Sequence, residues 1–153
     1  MQGHFFSGEH TIRLDSKGRI GIPVEWRGLL QGADRPSFNA HPCIKEKRLR
    51  CLSPDGLAKV KKQVDDLPTY DKRREAINAL IISRAIPHNL DGQGRAVMDG
   101  ALLKEVDIDQ DMVLVGAGDH FEIWNPADLA EHRKELLDHL RSGADVGIEE
   151  LFL

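Results

Sequence analysis

Arg13, Lys17 and Arg19 fall within seven residues of one another, with Asp15 the only acid between them. A guanidinium can grip a phosphate or the edge of a guanine through two parallel N–H bonds, and an ammonium adds a point charge. Asp15 suits a different task. Its carboxylate can fold onto backbone N–H groups two residues on, and Gly18 supplies the positive φ that such a turn needs. Arg27 follows eight residues after Arg19 and is a further candidate cation.

These residues need elements to hold them. Thr11-Ile12-Arg13-Leu14 alternates polar and apolar, so a half-buried strand is expected over residues 5–14, with Arg19-Ile20-Gly21-Ile22 as its return. Pro23, lacking an N–H, sits where a first helical turn tolerates it, ahead of a helix from Val24 to Leu30 that Gly32 is placed to end.

The same string recurs. Leu90-Asp91-Gly92-Gln93-Gly94-Arg95 repeats Leu14-Asp15-Ser16-Lys17-Gly18-Arg19 at an offset of 76 residues, with Asp91 and Gly94 shaping the turn and Arg95 as its cation. Leu49-Arg50-Cys51-Leu52-Ser53-Pro54 matches Phe121-Glu122-Ile123-Trp124-Asn125-Pro126 at an offset of 72, which puts four extra residues in the first copy, assigned to Ala40–Glu46. A duplication needs chance twice at matching places, so it outweighs either motif alone. It divides the chain into a first repeat at 8–56, connecting helices at 57–84, a second repeat at 85–128, and a C-terminal helix and tail at 129–153.

Between these landmarks, strands are expected at Pro36–Ala40 and Lys47–Leu52, with Lys45, Lys47, Arg48 and Arg50 forming a solvated or phosphate-contacting arm. Ser53 caps a helix from Pro54 to Asp66 whose stripe is Leu57, Val60 and Val64. A long helix from Asp71 to Arg84 carries Ile77, Leu80 and Ile81 on one side and joins the copies. Strands at Ala85–Leu90 and Arg95–Met98 flank the second turn, and Asp99, standing where Pro23 stood, caps the next helix. Met112–Gly116 and Phe121–Trp124 form a hairpin. Asn125 then caps a helix to Leu140 with Leu129, Leu136, Leu137 and Leu140 on one side, before a Gly-rich, acidic tail that is expected to fray.

Composition narrows the function. At 153 residues and 41% hydrophobic content, the chain is globular, with halves near the lower size for an independent core. No apolar run approaches the roughly 18 residues of a membrane span, and the start lacks the charged and apolar regions of a signal peptide, so no membrane partner and a cytoplasmic address are expected. Residues 1–76 carry 15 Lys/Arg against 10 Asp/Glu, and residues 77–153 carry 6 against 15, so a basic half is joined to an acidic one. The local field near the first turn, rather than the net charge of −4, is what a ligand meets.

Cys43 and Cys51 could bridge a hairpin or, with His41, ligate a metal. The missing fourth ligand and the inferred compartment favour reduced structural thiols, with no metal or cofactor expected. The seven histidines, His4, His10, His41, His88, His120, His132 and His139, are scattered without an acid and nucleophile in register, and His120, His132 and His139 are expected at the surface. Enzymatic function is not expected.

Two Asp-x-x-Gly-Arg turns, each in a strand–turn–strand–helix unit, together with Leu-Asp-Ser-Lys-Gly-Arg-Ile-x-Ile-Pro and the Phe-Glu-Ile-Trp hairpin, resemble the MraZ family of bacterial transcriptional regulators over essentially the whole chain. The resemblance implies an α+β fold of two tandem swapped-hairpin units of the SpoVT–AbrB type, joined by a helical pair and related by a pseudo-two-fold duplication. It also implies self-association into a ring and binding of repeated operator sites on double-stranded DNA, usually with repression, upstream of the division and cell-wall gene cluster. The family's Asp-x-x-x-Arg falls on Asp15 with Arg19 and on Asp91 with Arg95, the arginine touching DNA and the aspartate shaping the turn. Arg13, Lys17 and Arg27 are the further candidate contacts. The second copy departs by carrying Gln93 for Lys17 and Asp99 for Pro23. Antitoxins of the same fold bind both DNA and a toxin, and are the alternative; they generally carry one motif and a long tail.

Overall fold

The computed structural model describes residues 4–143, and the expected fraying of the tail concerns residues that lie largely outside that range. Eight strands and five helices follow one another as β1 (Glu9–Arg13), β2 (Arg19–Gly21), α1 (Val24–Arg27), β3 (Ser37–Pro42), β4 (Arg48–Leu52), α2 (Pro54–Asp65), α3 (Lys72–Leu80), β5 (Ile86–Asn89), β6 (Arg95–Val97), α4 (Gly100–Glu105), β7 (Asp111–Gly116), β8 (Phe121–Trp124) and α5 (Pro126–Arg141). The fold is α+β, with strands paired antiparallel throughout.

A six-stranded sheet has the order β1-β7-β8-β4-β3-β5, and β2 pairs with β6 in a separate two-stranded ribbon. Both arrangements are symmetric about the duplication. Arg50 pairs with Glu122, its own counterpart at the 72-residue offset, and Ile20 pairs with Ala96, its counterpart at 76. The halves interlock, because β1 of the first half pairs with β7 of the second and β5 of the second pairs with β3 of the first. Neither half could bury its strand edges alone, as the small size of each half requires.

The register relocates the four extra residues. Phe38 faces His88 where Met112 faces Ile12, so β3 and β7 are offset by 74. Two extra residues therefore precede β3, and two lie in the tip between β3 and β4, rather than all four within Ala40–Glu46. Gly32 belongs to the first insertion. It does not end a helix: α1 stops at Arg27, and a Cβ at position 32 would collide with the carbonyl oxygen of Arg35.

The main core fills the space between the sheet, the ribbon, α1 and α4, with Trp26, Phe38, Phe121, Ile20, Ala96 and Leu102 among its buried members. A smaller cluster of Val113, Trp124 and Leu129 seats α5 on the sheet. Ser53, Asp99 and Asn125 cap their helices as expected, accepting from Gly56, from Leu102, and from Ala127 and Asp128 respectively. The connecting helix is shorter than its pattern suggested. It ends at Leu80 and tightens into a 3-10 turn at Ile82–Arg84, where two adjacent β-branched residues crowd the helical turn. Its stripe is not buried within the chain: Ile77 and Ile81 are half-buried and Leu80 is exposed, as are Leu136 and Leu137 on α5.

Candidate nucleic-acid interface

The two turns are built alike, and the aspartates build them. In the first, Gly18 N–H donates to the Asp15 carbonyl at 3.0 Å, while Asp15 Oδ1 accepts from the Lys17 and Arg19 N–H groups at 2.9 and 2.8 Å. Asp15 Oδ2 accepts from Arg19 Nε at 2.7 Å. In the second, Gly94 donates to the Asp91 carbonyl at 3.0 Å, Asp91 Oδ1 accepts from Gln93 and Arg95 at 2.8 and 3.0 Å, and Oδ2 accepts from Arg95 Nε at 3.2 Å. Gly18 and Gly94 have φ of +74° and +76°, in the left-handed region that a side chain disfavours. Each aspartate thus closes a turn and aims one guanidinium by its Nε edge. Among the described residues, the terminal nitrogens of Arg19 and Arg95 have no protein acceptor.

The ribbon sets the two turns side by side. Arg19 lies opposite Val97 and Arg95 opposite Gly21, with Ile20 and Ala96 between them pointing into the core. Side chains alternate along a strand, so Arg19, Gly21, Arg95 and Val97 share the outward face, where Val97 is 63% exposed. Two steps along a strand and one strand spacing across put the arginine Cα atoms on the order of 8 Å apart.

The other candidate residues divide. Lys17 is exposed at the first turn's tip, its ammonium without a partner among the described residues. Arg13 is exposed on β1 and donates to the Gln110 side chain at 2.5 Å, a tether between the halves that no local pattern announces. Arg27 is half-buried and donates from Nε to the Ile22 carbonyl at 3.0 Å. In the second copy Asp99 is occupied as a helix cap, and its own N–H donates to His88 Nε2 at 3.2 Å. Burial pushes His88 down from its usual range, and with Nδ1 donating to the Ile86 carbonyl at 2.8 Å it is a neutral ring stacked on Phe38.

The basic arm is only partly a solvated face, with Lys45 and Lys47 exposed and Arg48 and Arg50 half-buried. Lys47 pairs with Asp107 at 2.7 Å, and Arg48 is half-buried over Trp124, 3.4 Å from Glu122. His120 is likewise not a free surface residue, being held between Asp119 and Glu122 at 2.6 and 3.0 Å. His132 stacks on Trp124. Cys51 is buried in the core and Cys43 accepts from Arg48 Nε at 3.3 Å, and both are free thiols. Among the described residues, no group of three or more His, Cys, Asp or Glu side chains is placed to hold a metal ion, and no helix is long and apolar enough to cross a membrane.

The turn carboxylates have a pH signature. The Arg19 backbone N–H, then the Arg19 side chain and the Lys17 N–H, hold Asp15 down to about 2 from an ordinary 3.8. The Arg95 backbone N–H lowers Asp91 in the same sense. A carboxyl lowered on folding stabilises the fold above its unfolded value, and that contribution is lost as pH falls through its folded value. Asp15→Asn is therefore expected to be less stable than wild type at neutral pH and to lose less stability between pH 3.8 and about 2. Urea midpoints measured across that window check this, and parallel curves for the two proteins would overturn it.

Comparison with known proteins agrees with this architecture. A family model described as "MraZ protein, putative antitoxin-like" matches residues 81–140, the stretch from the end of the connecting helix through the second turn to α5. Relatives named "Transcriptional regulator MraZ" extend the likeness into the first half. That of Rickettsia akari (strain Hartford) is 28% identical over 132 residues, covering 84% of this chain and 87% of its own. That of Ruegeria sp. (strain TM1040) is 28% identical over 156, covering 94% and 93%. That of Hydrogenovibrio crunogenus is 27% identical over 139, covering 91% of each. The chain is thus similar along most of its length to proteins named transcriptional regulator MraZ, and over residues 81–140 to the MraZ family model.

Proposed function

We propose that this protein is a sequence-specific, DNA-binding transcriptional regulator that represses from repeated sites upstream of the division and cell-wall gene cluster, its own gene included. The observation that carries the reading is the shared outward face of Arg19 and Arg95 on one narrow ribbon. A major groove about 12 Å wide admits a two-stranded ribbon, and a guanidinium on it can address phosphate or guanine. The small outward residue Gly21 leaves the backbone room to approach. Arg13 and Lys17 supplement the two turn arginines, and 8–56 and 85–128 act as the paired SpoVT–AbrB-like repeats. The relatives' common name, transcriptional regulator, supports the same role. The protein would act in the cytoplasm at the nucleoid, without catalysis.

One protomer brings few cations to DNA, and each neutralised phosphate contributes about −0.9 to the salt slope, so a single protomer binds weakly. A ring of protomers on evenly spaced repeats gains through effective concentration instead. The exposed Tyr70 and Leu80 by the connecting helices, and the absence of any buried side chain on α3, support self-association. The test is binding to the DNA upstream of the protein's own gene with repeats deleted one at a time. Affinity is expected to fall steeply with repeat number; equal affinity for one repeat and several would refute the ring reading. The antitoxin-like description of the family model favours one second reading, in which a toxin co-purifies with the protein in stable stoichiometry.

A further inference from the structure

Arg27 reaches from the first half of the chain onto the turn of the second. Its guanidinium sits where a Cβ on Gly94 would be, overlapping Nε and Cζ. The contact is fastened through Ile22, whose carbonyl accepts from Arg27 Nε at 3.0 Å and whose N–H donates to the Gly94 carbonyl at 2.9 Å. Gly94 therefore has two reasons to be glycine: its φ of +76° and the room that the guanidinium occupies.

The pseudo-symmetric turn has half of this arrangement. Met98 N–H donates to the Gly18 carbonyl at 2.9 Å, matching the Ile22–Gly94 bond. The position equivalent to Arg27 is Leu103, which is buried in the core, and nothing lies within 4 Å of where a Cβ on Gly18 would stand. The guanidinium clamp exists on the second turn alone. That is also the turn with neutral Gln93 at its tip, and the one whose aspartate holds its arginine at the longer distance, 3.2 Å against 2.7 Å.

We propose that Arg27 is a positioning residue for Arg95: it clamps Gly94 from the other half of the chain and so fixes the direction in which the second turn presents its arginine. Part of this rests on the reading of Arg95 as a DNA contact. Arginine suits the task because its planar, weakly hydrated head packs on a peptide while one N–H stays bonded, and the compact, strongly hydrated ammonium of lysine does neither as well. A phosphate contact by Arg27, in contrast, would survive replacement by lysine.

The experiment compares full-length wild type with Arg27→Lys, Arg95→Ala and the double variant. In the free protein, amide hydrogen exchange at Gln93, Gly94 and Arg95 is expected to quicken about tenfold in Arg27→Lys, the scale of one lost hydrogen bond, while Lys17 and Arg19 stay as in wild type. Unchanged exchange at 93–95, or equal quickening at both turns, overturns the proposal. On DNA from upstream of the gene, Arg27→Lys is expected to weaken binding nearly as much as Arg95→Ala, with the double variant no weaker than Arg95→Ala. Wild-type binding by Arg27→Lys, or additive losses in the double variant, would likewise overturn it. Should Arg95→Ala bind DNA as wild type does, the DNA-contact reading of Arg95 fails, and the exchange rates alone decide whether Arg27 holds the turn.

Discussion

Trp26→Ala is expected to destabilise the protein by about 3–5 kcal/mol, the range for truncating a large buried aromatic. Trp26 is 1% exposed and lies at the junction of the two halves. Its ring is 5.6 Å from Phe6 and 5.2 Å from Phe121, centroid to centroid, and meets His10 edge-on at 5.4 Å. Its Nε1 donates to the Ser7 carbonyl at 3.1 Å, tying the N-terminal segment to α1. Alanine would remove the packing and leave a cavity bounded by several stiff aromatic rings that cannot collapse into it. It would also strip the Ser7 carbonyl of its partner. Against a typical total of about 5–15 kcal/mol, that is a large share. Trp26→Phe keeps a ring and loses the N–H, so it should fall between. Val97→Ala, on the exposed face of the ribbon, is the control and should shift stability by no more than about 0.5 kcal/mol. Chemical denaturation of the three variants measures this. A loss for Trp26→Ala as small as for Val97→Ala would mean that the junction is not the core described here.

Local chemistry was legible in the sequence; pairing across distance was not. The turns could be read because Asp, Gly and Arg at fixed spacing close them with bonds spanning only four residues. The caps at Ser53, Asp99 and Asn125 could be read for the same reason, and so could the hairpin of β7 and β8. Alternation marks a strand and its buried face but says nothing about its neighbour. The exchange of β1 and β5 between halves therefore emerges only from the register. An apolar stripe says that a helix face wants cover, not that this chain supplies it, and Leu80, Leu136 and Leu137 remain exposed. Charge pattern was the least reliable guide. Arg48 looked like a surface residue because the acid that engages it, Glu122, is distant in sequence and meets it only through the pairing of β4 with β8. The acids that hold His120, in contrast, are Asp119 and Glu122, which stand beside it in the sequence. Arg27 looked like one more cation for a phosphate, since nothing local connects it to Gly94, 67 positions away.

On the DNA-binding reading, Arg19→Ala should cause the larger loss of the two turn arginines, and the reason lies in what each turn has besides its arginine. A bidentate arginine contact to a base contributes about 1–3 kcal/mol of discrimination, so a single engaged protomer loses roughly 5- to 150-fold. Protomers held together on several repeats lose that factor at each engaged turn, so binding to the full upstream region should fall much further than binding to one repeat. The first turn also carries exposed Lys17, whereas the second carries Gln93, so the field around Arg19 is the more positive. Lys17→Ala separates the two contributions. It should lower affinity for every sequence and make the salt slope shallower by about 0.9 per engaged protomer, with discrimination between sites intact. Arg19→Ala should reduce discrimination as well. Arg95→Ala should follow Arg19→Ala in kind but with a smaller loss. These differences follow from the geometry only if each guanidinium leaves its Nε on the aspartate and offers its terminal nitrogens to DNA. Asp15→Ala, which frees Arg19 to turn while leaving every cation in place, should then keep the salt slope and lose discrimination. Retention of site preference in Asp15→Ala would mean that Asp15 shapes the backbone alone, and unchanged binding in both arginine variants would remove the ribbon face from the DNA-binding surface altogether.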